Sequence, residues 1–206
     1  MRLHILVEGA SEQALLEAWL PRFLPSGHTY KIIRHQGKGK LPKNPSEKPD
    51  PRHHGLLDQL PAKLRAFGKS FNPDTDRVLV LVDLDNDNCF DLKKRMTDLL
   101  RYCNPAPTVL FRIAIEETEA FYLGDWKAIK KAFPKAKENK TANYVQDSIC
   151  GTWELFREVI GYESENKVGW ARQIGPHLTT QWKGSRSLSF QHFCKALLRL
   201  AGEFTD

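Results

Sequence analysis

The sequence has no apolar run long enough to cross a membrane, no C-x-x-C pair, and no G-x-x-x-x-G-K-[ST] phosphate loop. Its opening, MRLHILVEG, meets Glu8 too early to act as a secretory signal. The four cysteines, Cys89, Cys103, Cys150 and Cys194, are scattered over 206 residues, a length that needs no disulfide staples. They read as free thiols, and a cytoplasmic location without membrane association is the expectation. With 41% hydrophobic and 27% charged residues the chain is not a disordered one. It is long enough for one substantial core, or for a core domain with a smaller appendage. The formal net charge is +6 although many of the acids crowd into one locality, so the remaining surface is more basic than the average. That balance favours a polyanionic partner such as nucleic acid, and lysine-rich solubility explains it equally well.

What is present is organised around RVLVLVDLDNDNCF, residues 77–90. Val78, Leu79, Val80, Leu81 and Val82 run without polar alternation, as a strand buried on both faces of a parallel sheet does. Asp83, Asp85 and Asp87 follow with one residue between each, and Asn86 and Asn88 supply turn chemistry. Carboxylates crowded at a strand end repel one another unless a cation or a proton is shared among them. Asp and Asn at such a place also serve as ordinary turn and N-cap residues. A D-x-D is the nucleophile motif of haloacid-dehalogenase-like phosphatases as well, but there it sits on an early strand before Thr or Ser, whereas here the strand is late and Asn86 follows.

Upstream, residues 3–7 read as a short strand and Glu8-Gly9-Ala10-Ser11 as a turn into the helical pattern Ala14, Leu15, Ala18, Trp19, Phe23, with Ser11 as its cap. Glu8 then stands at a strand end, and Glu12 lies in the first helical turn, where the helix dipole favours negative charge. Residues 29–34 read as a second strand, running into a basic, mobile loop over 36–52. There Arg34, His35, Lys38 and Lys40 flank Gly37 and Gly39, so the backbone could approach phosphates closely. The adjacent His53 and His54 have poor spacing for chelation. A helix over about 56–67, disturbed by Pro61, precedes the central strand, and an amphipathic helix over 90–103 follows it. Residues 108–115 form the next buried strand, ending in IEETEAFYLGD, where a helical phase puts Glu116 and Glu119 on one face and Glu117 elsewhere.

Three buried strands therefore end at acids: Glu8, the Asp83 to Asp87 group, and Glu116 with Glu119. Ligands sit at the carboxyl ends of strands in open α/β sheets. A carboxylate-lined divalent cation site is the economical account, and oxygen-only ligation points to one or two Mg²⁺ or Mn²⁺ ions over zinc. Beyond residue 125 the strand signal stops. Short helices are predicted over 127–133, 142–150, 153–160, 168–178 and 190–204, a cationic helical appendage in which Lys167, Arg172, His177, Lys183 and Arg186 could flank a polyanion. The fold class is α/β: a mostly parallel, Rossmann-like sheet flanked by helices over 1–125, with a C-terminal helical subdomain over 126–206.

At Glu8-Gly9-x-Ser11-Glu12 followed by Asp83-x-Asp85, the chain resembles the Toprim domain of topoisomerases, primases and the overcoming-lysogenization-defect nucleases. VEGxSE, VDLDNDNC, IAIEETEAFYLGD and SRSLSFQHF look closest to a bacterial Toprim-like family of unknown function often encoded beside an AAA-type ATPase. The resemblance implies Glu8 as general acid or base and possible ligand, and Asp83 and Asp85 as metal ligands at the catalytic centre. Glu12, Asp87, Glu116 and Glu119 complete or orient that site. No tyrosine domain, zinc module or fused ATPase is evident, which leaves the nuclease branch, with an ATPase as a possible partner. Arg34, Lys38, Lys40, Lys167 and Arg186 are the candidate nucleic-acid contacts. The competing classes are a non-catalytic Toprim-like docking module and a phosphohydrolase of small phosphoesters.

Overall fold

The computed structural model describes residues 1–162 and 165–204. Its frame is a four-stranded parallel sheet in the order β2-β1-β3-β4, formed by β1 (Arg2–Val7), β2 (Thr29–Arg34), β3 (Asp76–Asp83) and β4 (Val109–Ala114). Each strand returns to the same end through helical crossovers, the only economical way to join parallel neighbours. The crossovers are α1 (Ala10–Phe23), α2 (Leu56–Ser70) and α3 (Cys89–Asp98), the last prolonged by a 3₁₀ turn over Leu99–Tyr102.

Strand periodicity sorts the core into two layers. Leu3, Ile5 and Val7 of β1 and Leu79 and Leu81 of β3 pack with α1, while Leu6, Val78, Val80 and Val82 pack with Leu56, Leu60 and Leu64 of α2 and Leu92 and Met96 of α3. The unbroken apolar run of β3 is thus explained by burial on both faces, as the sequence predicts.

The later helices are α4 (Glu119–Leu123), α5 (Trp126–Ala132), α6 (Thr152–Ile160), α7 (Lys167–Ile174) and α8 (Leu188–Ala201). They share the α1-side core with the strands. Phe121, Phe156, Trp170, Phe190 and Phe193 lie in one cluster with Trp19, Ile5 and Leu79. These five aromatics are therefore core, with Trp153 and Trp182 partly buried against it, and the helices beyond residue 125 complete the layer over one face of the sheet.

Several local expectations need correction. Residues 142–150 are not helical; a 3₁₀ turn over Glu138–Thr141 leads into irregular chain in which Asp147 has φ of 57°. Side chain to main chain bonds compete with the helix there, since Asp147 Oδ2 accepts from Ser189 N and Gln146 Nε2 donates to Ala120 O. Ser11 does not cap α1. Gly9 is the cap residue, its N–H donates to Glu12 Oε2 at 2.8 Å, and the Ser11 hydroxyl donates to the other Glu12 oxygen. The helix predicted from 90 ends as α-helix at Asp98, and that predicted from 190 starts at Leu188, where Ser187 Oγ accepts from Phe190 N.

Candidate functional site

The direction of chain progression reverses between β1 and β3: β2 lies on one side of β1, and β3 and β4 lie on the other. Such a switch point opens a crevice at the carboxyl ends of the strands because the flanking crossovers leave on opposite faces. Glu8 follows β1 and Asp83 ends β3, so both border it. They touch: Glu8 Oε1 accepts from the Asp83 backbone N–H at 2.9 Å.

Four acids are brought together here. Glu8 and Asp83 at the strand ends, Glu12 from the first turn of α1 and Glu119 from the start of α4 lie close enough to act on one another's ionisation. Glu12 and Glu119 are only 5% and 2% exposed. Burial pushes Glu8 up to about 8; the Asp83 N–H opposes this, and the charges of Glu12 and Asp85 add to it. Asp83 is raised well above the carboxylate range, by burial first and then by Glu12, Glu8 and Glu119. Glu119 is pushed up to about 8, again chiefly by burial, against the pull of Lys167. Two oxygens of this group, Asp83 Oδ1 and Glu119 Oε1, are buried with no hydrogen-bond partner, as is the Tyr122 hydroxyl one helical turn after Glu119. A buried orphan polar atom costs about 1–3 kcal/mol, more when charged.

The other predicted acids are engaged differently. Asp85 and Asp87 share the Lys38 ammonium, which lies 3.0 Å from one and 2.8 Å from the other and also donates to Leu84 O at 2.8 Å. Both carboxylates are about half exposed, at 50% and 48% of their side chains. Asp85 has φ of 49°, a left-handed conformation that Asp tolerates better than most residues, and its N–H donates to Glu116 O.

Glu116 itself, at φ of 59°, has its carboxylate engaged by the chain at residues 150–152. It accepts from the backbone N–H groups of Cys150, Gly151 and Thr152 and from the Thr152 hydroxyl, at the start of α6. Those bonds outweigh its burial and lower its pKa. Glu117, which the helical phase directed elsewhere, instead acts on both Asp83 and Glu119 and pairs with Lys167 at 2.9 Å. The exchange follows from the left-handed residue: α4 begins only at Glu119, so no helical phase reaches back to Glu116.

The basic candidates also divide. Lys38 is turned inward to the acids, and its loop is anchored rather than loose, because Leu56 N and Leu57 N at the start of α2 donate to Gly37 O and Lys38 O. Gly39, at φ of 68°, is demanded by packing: a Cβ there would meet Asp58 Oδ2 at 2.1 Å. Lys40 and Arg34 are exposed. Lys167 lies inward, 4.9 Å from the Trp153 ring centroid as well as on Glu117. Arg186 donates to Leu123 O.

Residues 7–198 match the domain of unknown function DUF4276, a span that holds every acid named above. The chain belongs to the DUF4276 family. No curated protein matches it, and no solved structure does. In this DUF4276 chain, sequence reasoning missed Glu117, Tyr122 and Thr118, whose hydroxyl donates to Glu12 Oε1 at 3.4 Å. Tyr122 carries a readable signal, since it stands three residues after Glu119 on the same helix. Among the described residues, no three His, Cys, Asp or Glu side chains are arranged to grip a single ion.

Proposed function

We propose that this DUF4276 protein is a Toprim-like nuclease that cleaves nucleic-acid phosphodiesters with Mg²⁺ or Mn²⁺. The observation that carries the reading is the contact of Glu8 with Asp83 in the crevice between two adjacent parallel strands, beside the buried, unpartnered Asp83 Oδ1. A strand-end Glu followed by Gly and a later strand ending in D-x-D is the Toprim order, and β1 and β3 are neighbours. An all-oxygen donor set with an orphaned carboxylate oxygen fits a hard divalent cation.

Asp83 and Asp85 would hold the ion, with Glu8 at its edge and Glu12, Glu119 and Asp87 around them. When bound, such an ion polarises a phosphoryl oxygen and acidifies a water. Glu8, raised to about 8, holds its proton at neutral pH in the metal-free protein, so it is suited to protonate a leaving oxygen or, once ionised, to take a proton from water. Lys38, shared by Asp85 and Asp87, would be available to a phosphate if a metal took over the neutralisation of those two acids. Lys40 and Arg34 extend the cationic surface along the same end of the sheet. An AAA-type ATPase is proposed as a partner on the strength of the Toprim-like resemblance alone.

A second reading, a non-catalytic docking module, is favoured by Lys38 neutralising Asp85 and Asp87. Incubating the protein with DNA, RNA and a small phosphoester, with Mg²⁺, Mn²⁺ or chelator, separates the readings. The nuclease reading expects metal-dependent cleavage of a polynucleotide that Asp83→Asn and Asp85→Asn abolish. Turnover of the small phosphoester alone makes the protein a phosphohydrolase, and no turnover of any substrate leaves the docking module.

A further inference from the structure

A second cavity lies on the other side of the Glu8 turn. It has a volume of about 610 Å³ and is bordered by Gly9 and Ala10 at the start of α1, by residues 34–37 after β2, and by His54, Gln59 and Lys63 around α2. Its wall contains Arg34, His35, His54 and Lys63 and not one carboxylate. That is unusual in a molecule whose other strand-end crevice is crowded with acids.

The cations here are also without counter-charges. Lys63 is half-buried, and its pKa is lowered by burial with no carboxylate opposing it. Among the described residues, neither Lys63 nor Arg34 makes an ion pair or a side-chain hydrogen bond. His35 is 9% exposed, its Nδ1 is fixed on Val7 O at 2.8 Å, and its Nε2 is buried with no partner. Because a carbonyl can only accept, Nδ1 carries the proton, and a neutral His35 presents a lone pair at Nε2. A half-buried cation without an anion, Lys63, and a buried acceptor without a donor, His35 Nε2, both raise the free energy of the empty cavity.

We infer that this cavity is a phosphate pocket for a phosphomonoester, the terminal phosphate of a nucleic-acid strand. Two anionic oxygens meet Arg34 and Lys63, and the guanidinium adds planar two-point recognition. A monoester can be bound as its monoanion, which keeps one proton below a second ionisation near 6 and can donate it to His35 Nε2, whereas an internal phosphodiester has none to give. The pocket adjoins the acidic crevice, for Gly37 N donates to Glu8 O at 2.9 Å. The assignment to a strand end rests on the nuclease reading; the phosphate pocket does not, so binding is measured in chelator, where no cleavage occurs.

The experiment compares inorganic phosphate, a mononucleotide, and one oligonucleotide carrying a 5′-phosphate, a 3′-phosphate or hydroxyl ends, by calorimetry and melting temperature. Inorganic phosphate is expected to raise the melting temperature, and one phosphorylated end to bind at least ~10-fold more tightly than the hydroxyl-ended strand. Lys63→Gln and Arg34→Gln should each remove most of that preference. Lys63→Gln should not lower the melting temperature without phosphate, since it removes a half-buried charge that lacks a partner. Equal affinity for phosphorylated and hydroxyl ends, or a preference that survives both substitutions, overturns the pocket. A mononucleotide binding as tightly as the phosphorylated strand overturns the strand-end assignment. Absence of cleavage when Mg²⁺ or Mn²⁺ is supplied in a separate assay, with the phosphate preference present in chelator, overturns the nuclease reading and leaves the pocket standing.

Discussion

Glu8 and Asp83 are joined across the strand-order reversal by a hydrogen bond from the Asp83 main chain to the Glu8 carboxylate, 2.9 Å long. The bond fixes one Glu8 oxygen and leaves the residue in a setting that raises its pKa to about 8. Glu8→Gln keeps an acceptor for Asp83 N and removes the ionisable group. It should lower phosphodiester turnover by at least ~100-fold, the range of a lost general acid or base, while the metal-induced rise in melting temperature largely persists. Loss of that rise together with activity would make Glu8 chiefly a ligand.

The raised carboxyls also set how the metal-free fold responds to pH. A carboxyl that is protonated in the native state up to about 8, but ionises near the ordinary value when unfolded, binds more protons folded than unfolded between those limits. Stability in chelator should therefore fall as pH rises from about 5 to 8, by at most about 1.4 kcal/mol per pH unit for each such group. Asp83→Asn should flatten the slope, because it removes one of the raised groups. Urea melts at several pH values measure it, and a stability that climbs through this interval contradicts the acid cluster.

Glu116 separates an acid with a structural role from the proposed metal ligands. Its carboxylate holds three backbone N–H groups at the start of α6, so Glu116→Ala should destabilise the protein by about 1–3 kcal/mol. The increment in melting temperature given by Mg²⁺ or Mn²⁺ should be unchanged. A loss of that increment would return Glu116 to the ligand set.

Much of this was readable in the chain. The double-sided burial of Val78 to Val82, the short apolar strand over Leu3 to Val7, and the strand-end position of Glu8 and Asp83 are local patterns, and the structure bears them out. The exchange of Glu116 and Glu117 was not readable, because it turns on one left-handed residue before α4. Nor was the partnership of Lys38 with Asp85 and Asp87, which joins residues nearly fifty positions apart. Lys63 gave no signal at all, since its cavity is assembled from three elements and only there does the lack of a carboxylate become visible.

The pairing of Lys38 changes what its removal should do. Lys38→Ala deprives Asp85 and Asp87 of their counter-charge, and since both are half exposed the cost in chelator should be only on the order of 1 kcal/mol. With divalent metal present the difference from wild type should shrink, as the ion takes over the neutralisation. Lys40→Ala, at an exposed position, should leave stability unchanged and act only on nucleic-acid affinity, lowering the log-log salt slope by about one unit for a lost phosphate contact. An unchanged slope would assign Lys40 to solvation.

The sharpest test concerns Asp83 and Asp85 together and needs no substrate. Asp83 is half-buried among acids with one buried oxygen that has no partner, whereas Asp85 is half exposed and paired with Lys38. In chelator, Asp83→Asn should therefore leave the melting temperature unchanged or raise it, because repulsion and the burial of a titratable group are relieved. Asp85→Asn should be neutral or slightly destabilising, because it gives up half of a shared ion pair. With millimolar Mg²⁺ or Mn²⁺ the two should converge: a ligand bound to the native state stabilises it by RT ln(1 + [L]/Kd), and both substitutions raise Kd. Wild type should gain from the metal, and both variants should lose most of that gain. A turn aspartate predicts no metal dependence in any of the three proteins. Metal stabilisation that survives Asp83→Asn would move the ion away from the switch-point crevice and remove the main support for the nuclease reading.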